Sequence, residues 1–386
     1  MKITDVKVFV TNPGYGNFIS HRATRNYIYV KIETDEGIHG IGEAYSIGPD
    51  LAVVQTIEYF RDWLIGEDPT RVEYLWTKLY NYSRFPGGSI LNAAISGIDF
   101  ALWDITAKSL NVPVYKLFGG PTRDKVWIYG KPRGNSAEEM AERAIAEREK
   151  YGFTAIKTFL PFVEGSVAAT AKELEHNFST FRKALGDDYE IAIDFHARVL
   201  EPSSALMLSR VIEPMRPYFI EEPLKPENIG MMAALKAKMN SPLATGECLY
   251  TKFEFNDLIK ADAADLLQPD LSVCGGFTEG RKIAAMAEAN YKNIAPHHPV
   301  SALFTWINVH FALSITNFEI LEFQNDDEKG RREMITEILE VKDGYIEPPT
   351  KPGWGTELDM EFIESHPYKA WTRPFKKKHD GSIAIV

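Results

Sequence analysis

Three carboxylates, Asp194 in IAIDFHA, Glu221 in YFIEEPL and Glu247 in LATGE, each close a short apolar run, and they stand 27 and 26 residues apart. That interval is about one strand, one helix and two loops, the repeat of a barrel whose parallel strands all deliver their C-terminal ends to one rim. No single helix or hairpin spaces three acids this way. The rhythm continues, because LLQPD ends at Asp270, KNIAPHH reaches His297 and FEILEF carries Glu322, at further steps of 23, 27 and 25 residues. A single acid at a strand end is more often a helix cap or an ion-pair partner. Six polar residues in phase converge on one mouth.

The chain has 386 residues, beyond the size at which one core usually stops growing, so one large domain and a smaller one are expected. A net charge of −11 argues against nucleic acid or an anionic membrane as the main partner, and a small anionic substrate would need local positive charge such as a metal. The short basic run Lys376 to His379 reads as a solvated tail. MKITDVKVFV alternates charged and apolar residues, which indicates a strand rather than a signal peptide and a cytoplasmic protein. No apolar run approaches the roughly 18 residues of a membrane helix. Cys248 and Cys274 form no CxxC pair and suggest no disulfide; Cys248, next to Glu247, reads as a small buried thiol.

Residues 1 to about 45 read as a meander of three antiparallel strands with a turn at Asp35 to Gly37. Helical patterns follow near Asp50 to Leu64, Arg71 to Tyr82 and Ser89 to Leu110, which makes an α+β module over residues 1–124. From residue 125 to 335 strands and helices alternate. The runs VWIYG, FTAIK, EIAID, YFIEE, PLATGE, DLLQPD, NIAPH and FEILE make eight strands, and Ser136 with Glu139 forms a capping box for a helix that Gly152 ends. The last stretch, 336–386, has a hairpin-like ILEVKDGYIEPP and could return to cover the first module. An open doubly wound sheet is the alternative, but no GxGxxG follows an early strand, and the loop signals GYG at Gly14 to Gly16 and GGFTEG at Gly275 to Gly280 are too weak to argue for a nucleotide site.

Asp194, Glu221 and Glu247 make an oxygen-only shell, which suits a hard cation: Mg2+ is favoured and Mn2+ remains open. His196 lies two residues beyond Asp194, so strand alternation points both side chains to one face. His297 has a plausible partner in Asp270, at the end of the preceding strand, and a carboxylate on one ring nitrogen fixes the tautomer and raises the basicity of the other. His298 should point away and be structural. A metal with a base suits removal of a proton next to a carboxylate, and a second histidine acting as acid could release a hydroxyl. Glu322, if protonated, could hydrogen-bond the developing enolate oxygen, and Lys157 offers positive charge to a substrate carboxylate.

Together these residues resemble the enolase superfamily, in its mandelate racemase subgroup, and within it the acid-sugar dehydratases of the galactonate dehydratase type. The segment ISGIDFALWDITAKSLNVPVYKLFGG at Ile95 to Gly120 and the motifs DFH, IEEP, GE, QPDLS with GG, and APHHP carry the likeness. The resemblance implies an α+β capping domain on a modified TIM barrel, (β/α)7β, with Mg2+ on Asp194, Glu221 and Glu247. It also implies a base dyad of His297 and Asp270, His196 as the acid that expels a 3-hydroxyl, Glu322 as the electrophilic acid, and a homo-oligomer. Racemases of this family often carry KxK on the second barrel strand, where this chain has Lys157, Thr158 and Phe159. The missing second lysine favours dehydration of a sugar acid, an aldonate, to a 2-keto-3-deoxy acid. The alternatives are a racemase or epimerase on the same scaffold, or a non-catalytic metal-binding scaffold. His21, Arg22, Tyr82 and Arg84, on the first module, are candidates for reading distal hydroxyls.

Overall fold

The structure, a computed structural model, describes residues 1–14, 25–45, 48–371, 375–378 and 380–384. Strands β1 (Ile3–Thr11), β2 (Tyr27–Thr34) and β3 (His39–Ala44) form an antiparallel meander in that order. Its side chains alternate: Ile28, Val30 and Ile32 pack with the helices α1 (Asp50–Leu64), α2 (Val72–Tyr82) and α3 (Gly88–Ser109), while Tyr27 and Tyr29 enter a core shared with the rest of the chain. Glycine lets α3 approach β3 closely. A Cβ on Gly40 or Gly42 would stand 2.0 Å from the carbonyl oxygen of Ala101 or 2.1 Å from that of Gly97.

The expectation that no segment is long and apolar enough to cross a membrane is overturned by α3, which passes on length and composition. Its apolar window is 78% buried inside the protein, as befits a helix packed by the meander on one side and by α1 on another. It is the core helix of the first module.

Strand and helix then alternate through β4 (Val126–Tyr129), α4 (Ala137–Tyr151), β5 (Ala155–Phe159), α5 (Val167–Leu185), β6 (Glu190–Asp194), α6 (Pro202–Ile212), β7 (Ile220–Glu221) and α7 (Ile229–Lys236). They continue through β8 (Leu243–Thr245), α8 (Thr251–Lys260), β9 (Leu266–Leu267), α9 (Gly276–Ala289), β10 (Asn293–Ile294), α10 (Ala302–Ala312) and β11 (Leu321–Glu322). β5 to β10 pair in parallel in sequence order; Gly130 bridges to Ile156, β4 pairs with β11, and Ile294 bridges to Phe318. Among the described residues this closes a ring of eight strands with seven intervening helices, a (β/α)7β barrel, and removes the open doubly wound alternative. Ala155, Ala192, Ala244 and Ala295 pack with Tyr129 and Phe219, so small and large side chains fill a solid core.

Local chemistry sets the element ends. Ser136 accepts from the Glu139 N–H at 3.2 Å to start α4, but the Glu139 carboxylate turns to the Asn135 N–H at 2.8 Å, so the capping box is displaced by one residue. Gly152 ends α4 in the left-handed region with φ 74°. In ILEVKDGYIEPP, Lys342 and Tyr345 bridge antiparallel across a turn at Asp343 and Gly344, as the hairpin-like pattern suggests, and β12 (Tyr345–Ile346) pairs antiparallel with β4. The chain then runs through α11 (Met360–Ser365) to the first module, where His366 accepts from the Asn12 N–H at 2.8 Å and the Trp371 indole donates to Asp50 at 3.1 Å. The seam between module and barrel is polar and paired: Glu43, at the end of β3, accepts from the Ser301 N–H and hydroxyl at 3.1 and 2.6 Å.

Candidate active site

The barrel mouth gathers the acids. Asp194 closes β6, Glu221 closes β7, and Glu247 lies two residues past β8. One carboxylate oxygen from each falls within 4.8 Å of the others. Gly246 makes the turn before Glu247 possible: its φ is 141°, and a Cβ there would stand 3.0 Å from the Gln268 nitrogen.

The surroundings bear on whether these residues suit a cation. Burial, then Glu222, Asp194 and Glu221, push the Glu247 carboxyl well above its usual range. Glu222 is likewise pushed up by burial and by Asp194 and Glu221. Burial would also raise Asp194, but His196 and Lys157 outweigh it and hold Asp194 below the usual range. So much negative charge in one buried place, all of it on oxygen, fits a hard divalent cation.

Lys157, on β5, is fully buried, and its Nζ lies 2.8 and 2.6 Å from the two Glu221 oxygens, 3.4 Å from Glu322 and 3.8 Å from Asp194. Its charge therefore meets protein carboxylates in this arrangement. Glu322, closing β11, is contacted by Lys131 and Lys157, and the Gln324 amide donates to it at 2.7 Å. Burial favours the neutral acid, but Lys131, Lys157 and His297 outweigh it and hold Glu322 well below the usual range. The protonated Glu322 expected from the sequence is not the state these neighbours favour.

Two participants escaped the sequence reading. Lys131 follows the first barrel strand, VWIYG, and the same strand-end rhythm that singled out the acids would have found it. Gln268, within LLQPD, donates to Glu221 at 2.7 Å.

His297 Nδ1 is 3.0 Å from an Asp270 oxygen, and the other Asp270 oxygen accepts from the Ser272 N–H and hydroxyl at 2.8 and 2.5 Å. The remaining ring nitrogen, Nε2, lies 3.4 Å from Glu247. His298 turns away to Thr305 at 2.6 Å, and burial, then Arg331, hold it well below the usual histidine range.

His196 reaches the cluster by a different route from the one expected. β6 ends at Asp194, and His196 and Ala197 both adopt left-handed backbone, φ 51° and 53°, so a tight turn and not strand alternation places the ring. Its N–H donates to Asp194 at 2.7 Å, and its Nε2 lies 2.9 Å from the other Asp194 oxygen. The imidazole stacks on Phe159, with centroids 5.1 Å apart. β6 and β10 are four strands apart in an eight-stranded ring, which sets His196 and His297 on opposite sides of the mouth.

Of the four candidates for distal recognition, His21 and Arg22 lie outside the described residues. Tyr82 is exposed, edge-on to Trp63, and Arg84 lies over the Phe85 ring. Cys248 is exposed, with its sulfur 3.9 Å from Glu222, which corrects the expectation of a buried thiol; Cys274 is buried.

Known proteins match this chain along most of its length. Residues 4–119 match the mandelate racemase / muconate lactonizing enzyme N-terminal domain, and residues 139–362 match the enolase C-terminal domain-like family. A crystal structure of an enolase from Agrobacterium radiobacter, provisionally named a galactarate dehydratase and bound to Na and L-malate, is 39% identical over 100% of both chains, with a TM-score of 0.94. A provisionally named dehydratase from Salmonella enterica serovar Typhimurium is 30% identical over 95% of this chain and 99% of its own, with a TM-score of 0.88. The 3,6-anhydro-D-galactonate cycloisomerase of Zobellia galactanivorans is 31% identical over 96% of this chain and 100% of its own, with a TM-score of 0.84.

Proposed function

The chain belongs to the mandelate racemase and muconate lactonizing enzyme family of the enolase superfamily, and from that premise we propose that it is a Mg2+-dependent dehydratase of sugar acids. The reaction would remove the proton α to the carboxylate and the 3-hydroxyl, giving a 2-keto-3-deoxy acid. The observation that carries this reading is the placement of two differently furnished histidines across one mouth. His297 is backed by Asp270, whereas His196 is stacked on Phe159.

Asp194, Glu221 and Glu247 would hold the cation, whose charge would offset that of the substrate carboxylate and the charge added as the α-proton leaves. Asp270, accepting from Nδ1–H, keeps His297 Nε2 free to take that proton. His196, on the far side, would give a proton to the departing hydroxyl, which leaves as water. Lys157 and Lys131 would supply hydrogen-bond donors to the carboxylate end of the substrate, with the ionised Glu322 between them fixing both ammonium groups. The cytoplasm is the expected location.

Epimerisation of a hydroxy acid is the second reading, and one observation favours it. Lys131 supplies, from β4, a second lysine that β5 lacks. The two readings part in a single assay. Each acid of an aldonate and aldarate panel is incubated with Mg2+ in D2O, 2-keto acid is detected with semicarbazide, and recovered substrate is checked for deuterium by mass spectrometry. Product from at least one acid is the expected result. Deuterium from solvent in recovered substrate, without keto acid, would favour epimerisation.

A further inference from the structure

Arg25 stands on the barrel-facing side of the meander. It precedes β2 and shares a side with Tyr27, two residues on, whose ring enters the core shared with the barrel. The guanidinium lies 5.6 Å from the ring centroids of both Tyr27 and Tyr45, and Nη1 donates to the carbonyl of Pro299, two residues past His297. Tyr45 is itself tied to the loop after β9, where its N–H donates to the Ser272 carbonyl at 3.3 Å. Arg25 is therefore tied to the loop that carries His297, and its neighbour Tyr45 to the loop that carries Asp270.

Arg25 is only 4% exposed, yet its Nε and Nη2 have no hydrogen-bond acceptor among the described residues. Of the adjacent acids, Glu43 accepts from Ser301 and one Asp50 oxygen accepts from Asn26 and Trp371; both attract Arg25 through space, but among the described residues neither accepts a hydrogen bond from it. A guanidinium keeps its charge at any pH a protein tolerates, so two idle buried donors are costly until an anion meets them. Their fork geometry matches a carboxylate.

We propose that Arg25 receives the second carboxylate of an aldarate, a sugar acid with a carboxylate at each end, and that diacids are preferred over aldonates. The inference rests on the dehydratase reading above. One end of the substrate would lie at the acid cluster and the other at the guanidinium, with C2 and its proton between them beside His297.

The test measures kcat/KM with Mg2+ for a panel of stereoisomeric six-carbon aldarates and for the matching aldonates, in the wild type, Arg25→Met and Arg25→Lys. The wild type is expected to prefer a diacid, and the diacid-to-monoacid ratio to fall about 100-fold in Arg25→Met and about tenfold in Arg25→Lys. The lysine variant keeps the charge if the methionine variant melts early by circular dichroism. Wild-type preference for aldonates, or a ratio unmoved in both folded variants, overturns the role of Arg25 while leaving the dehydratase intact. Product from no acid of either class overturns the dehydratase reading and this inference with it.

Discussion

The Phe159 ring lies flat against the His196 imidazole, their centroids 5.1 Å and their planes 15° apart. Where related racemases carry a second lysine, this chain presents an aromatic surface that holds the histidine on the next strand. The turn beneath that histidine is strained, since His196 and Ala197 both occupy the left-handed region, at a cost on the order of 1–3 kcal/mol each. The stack and the two contacts to Asp194 hold the ring against that strain.

Phe159→Leu removes the stack and should lower dehydration by about 10- to 100-fold through misplacement of His196. Exchange of the α-proton with solvent, which depends on His297, should persist. Phe159→Tyr, which restores a flat surface, should recover most of the rate. Equal loss of exchange and dehydration in Phe159→Leu would mean that the ring supports the whole mouth and not His196 in particular.

His297→Asn should abolish α-proton exchange while Mg2+ still binds, as followed by calorimetry. Asp270→Asn, which keeps the shape but disturbs the tautomer, should cost a large fraction of the rate for the same reason. Persistent exchange in His297→Asn would remove His297 from the role of base.

Lys157→Met should destabilise the metal-free protein by about 3–5 kcal/mol, because it leaves the fully buried Glu221 carboxyl without its ammonium partner. Added Mg2+ should recover part of the loss, since it offsets the same charge. Urea unfolding with and without Mg2+ checks both statements, and an unchanged midpoint would contradict them.

Asp99, on α3, accepts from the Thr278 hydroxyl and N–H at 2.5 and 3.0 Å, and burial pushes its carboxyl up to about 7 from 3.8. The folded state thus holds this proton more tightly than the unfolded chain. Its stabilisation is present in full below the unfolded value and is lost as pH rises through about 7. The melting temperature should therefore fall between about pH 4 and pH 7, and Asp99→Asn should flatten that fall. An unchanged slope in the variant would show that Asp99 does not carry the effect.

The strand ends were legible because a barrel repeats. Asp194, Glu221 and Glu247 could be placed on one rim from their spacing, and Asp270 and His297 from the same rhythm. Lys131 obeys that rhythm too, just after VWIYG, but a lysine at a strand end carries no metal-ligand signal. What spacing cannot carry is local backbone. The turn at His196 looks in sequence like one more pleat of β6, and only its two left-handed residues reveal that the strand has ended. Ionisation was also hidden, because the state of Glu322 depends on Lys131, just past β4, and on Lys157, on β5, which meet it only in the fold. The membrane-length apolar character of α3 is masked for a related reason: polar residues such as Asn92, Ser96, Asp99 and Asp104 interrupt its sequence, yet all four are buried.

The most direct measurement is nuclear magnetic resonance of each acid in the panel after incubation with the protein and Mg2+ in D2O. The account predicts a 2-keto-3-deoxy acid from at least one substrate, absent in His297→Asn and strongly reduced in His196→Asn. Recovery of every acid without keto acid, whether or not deuterium has entered at C2, would contradict it.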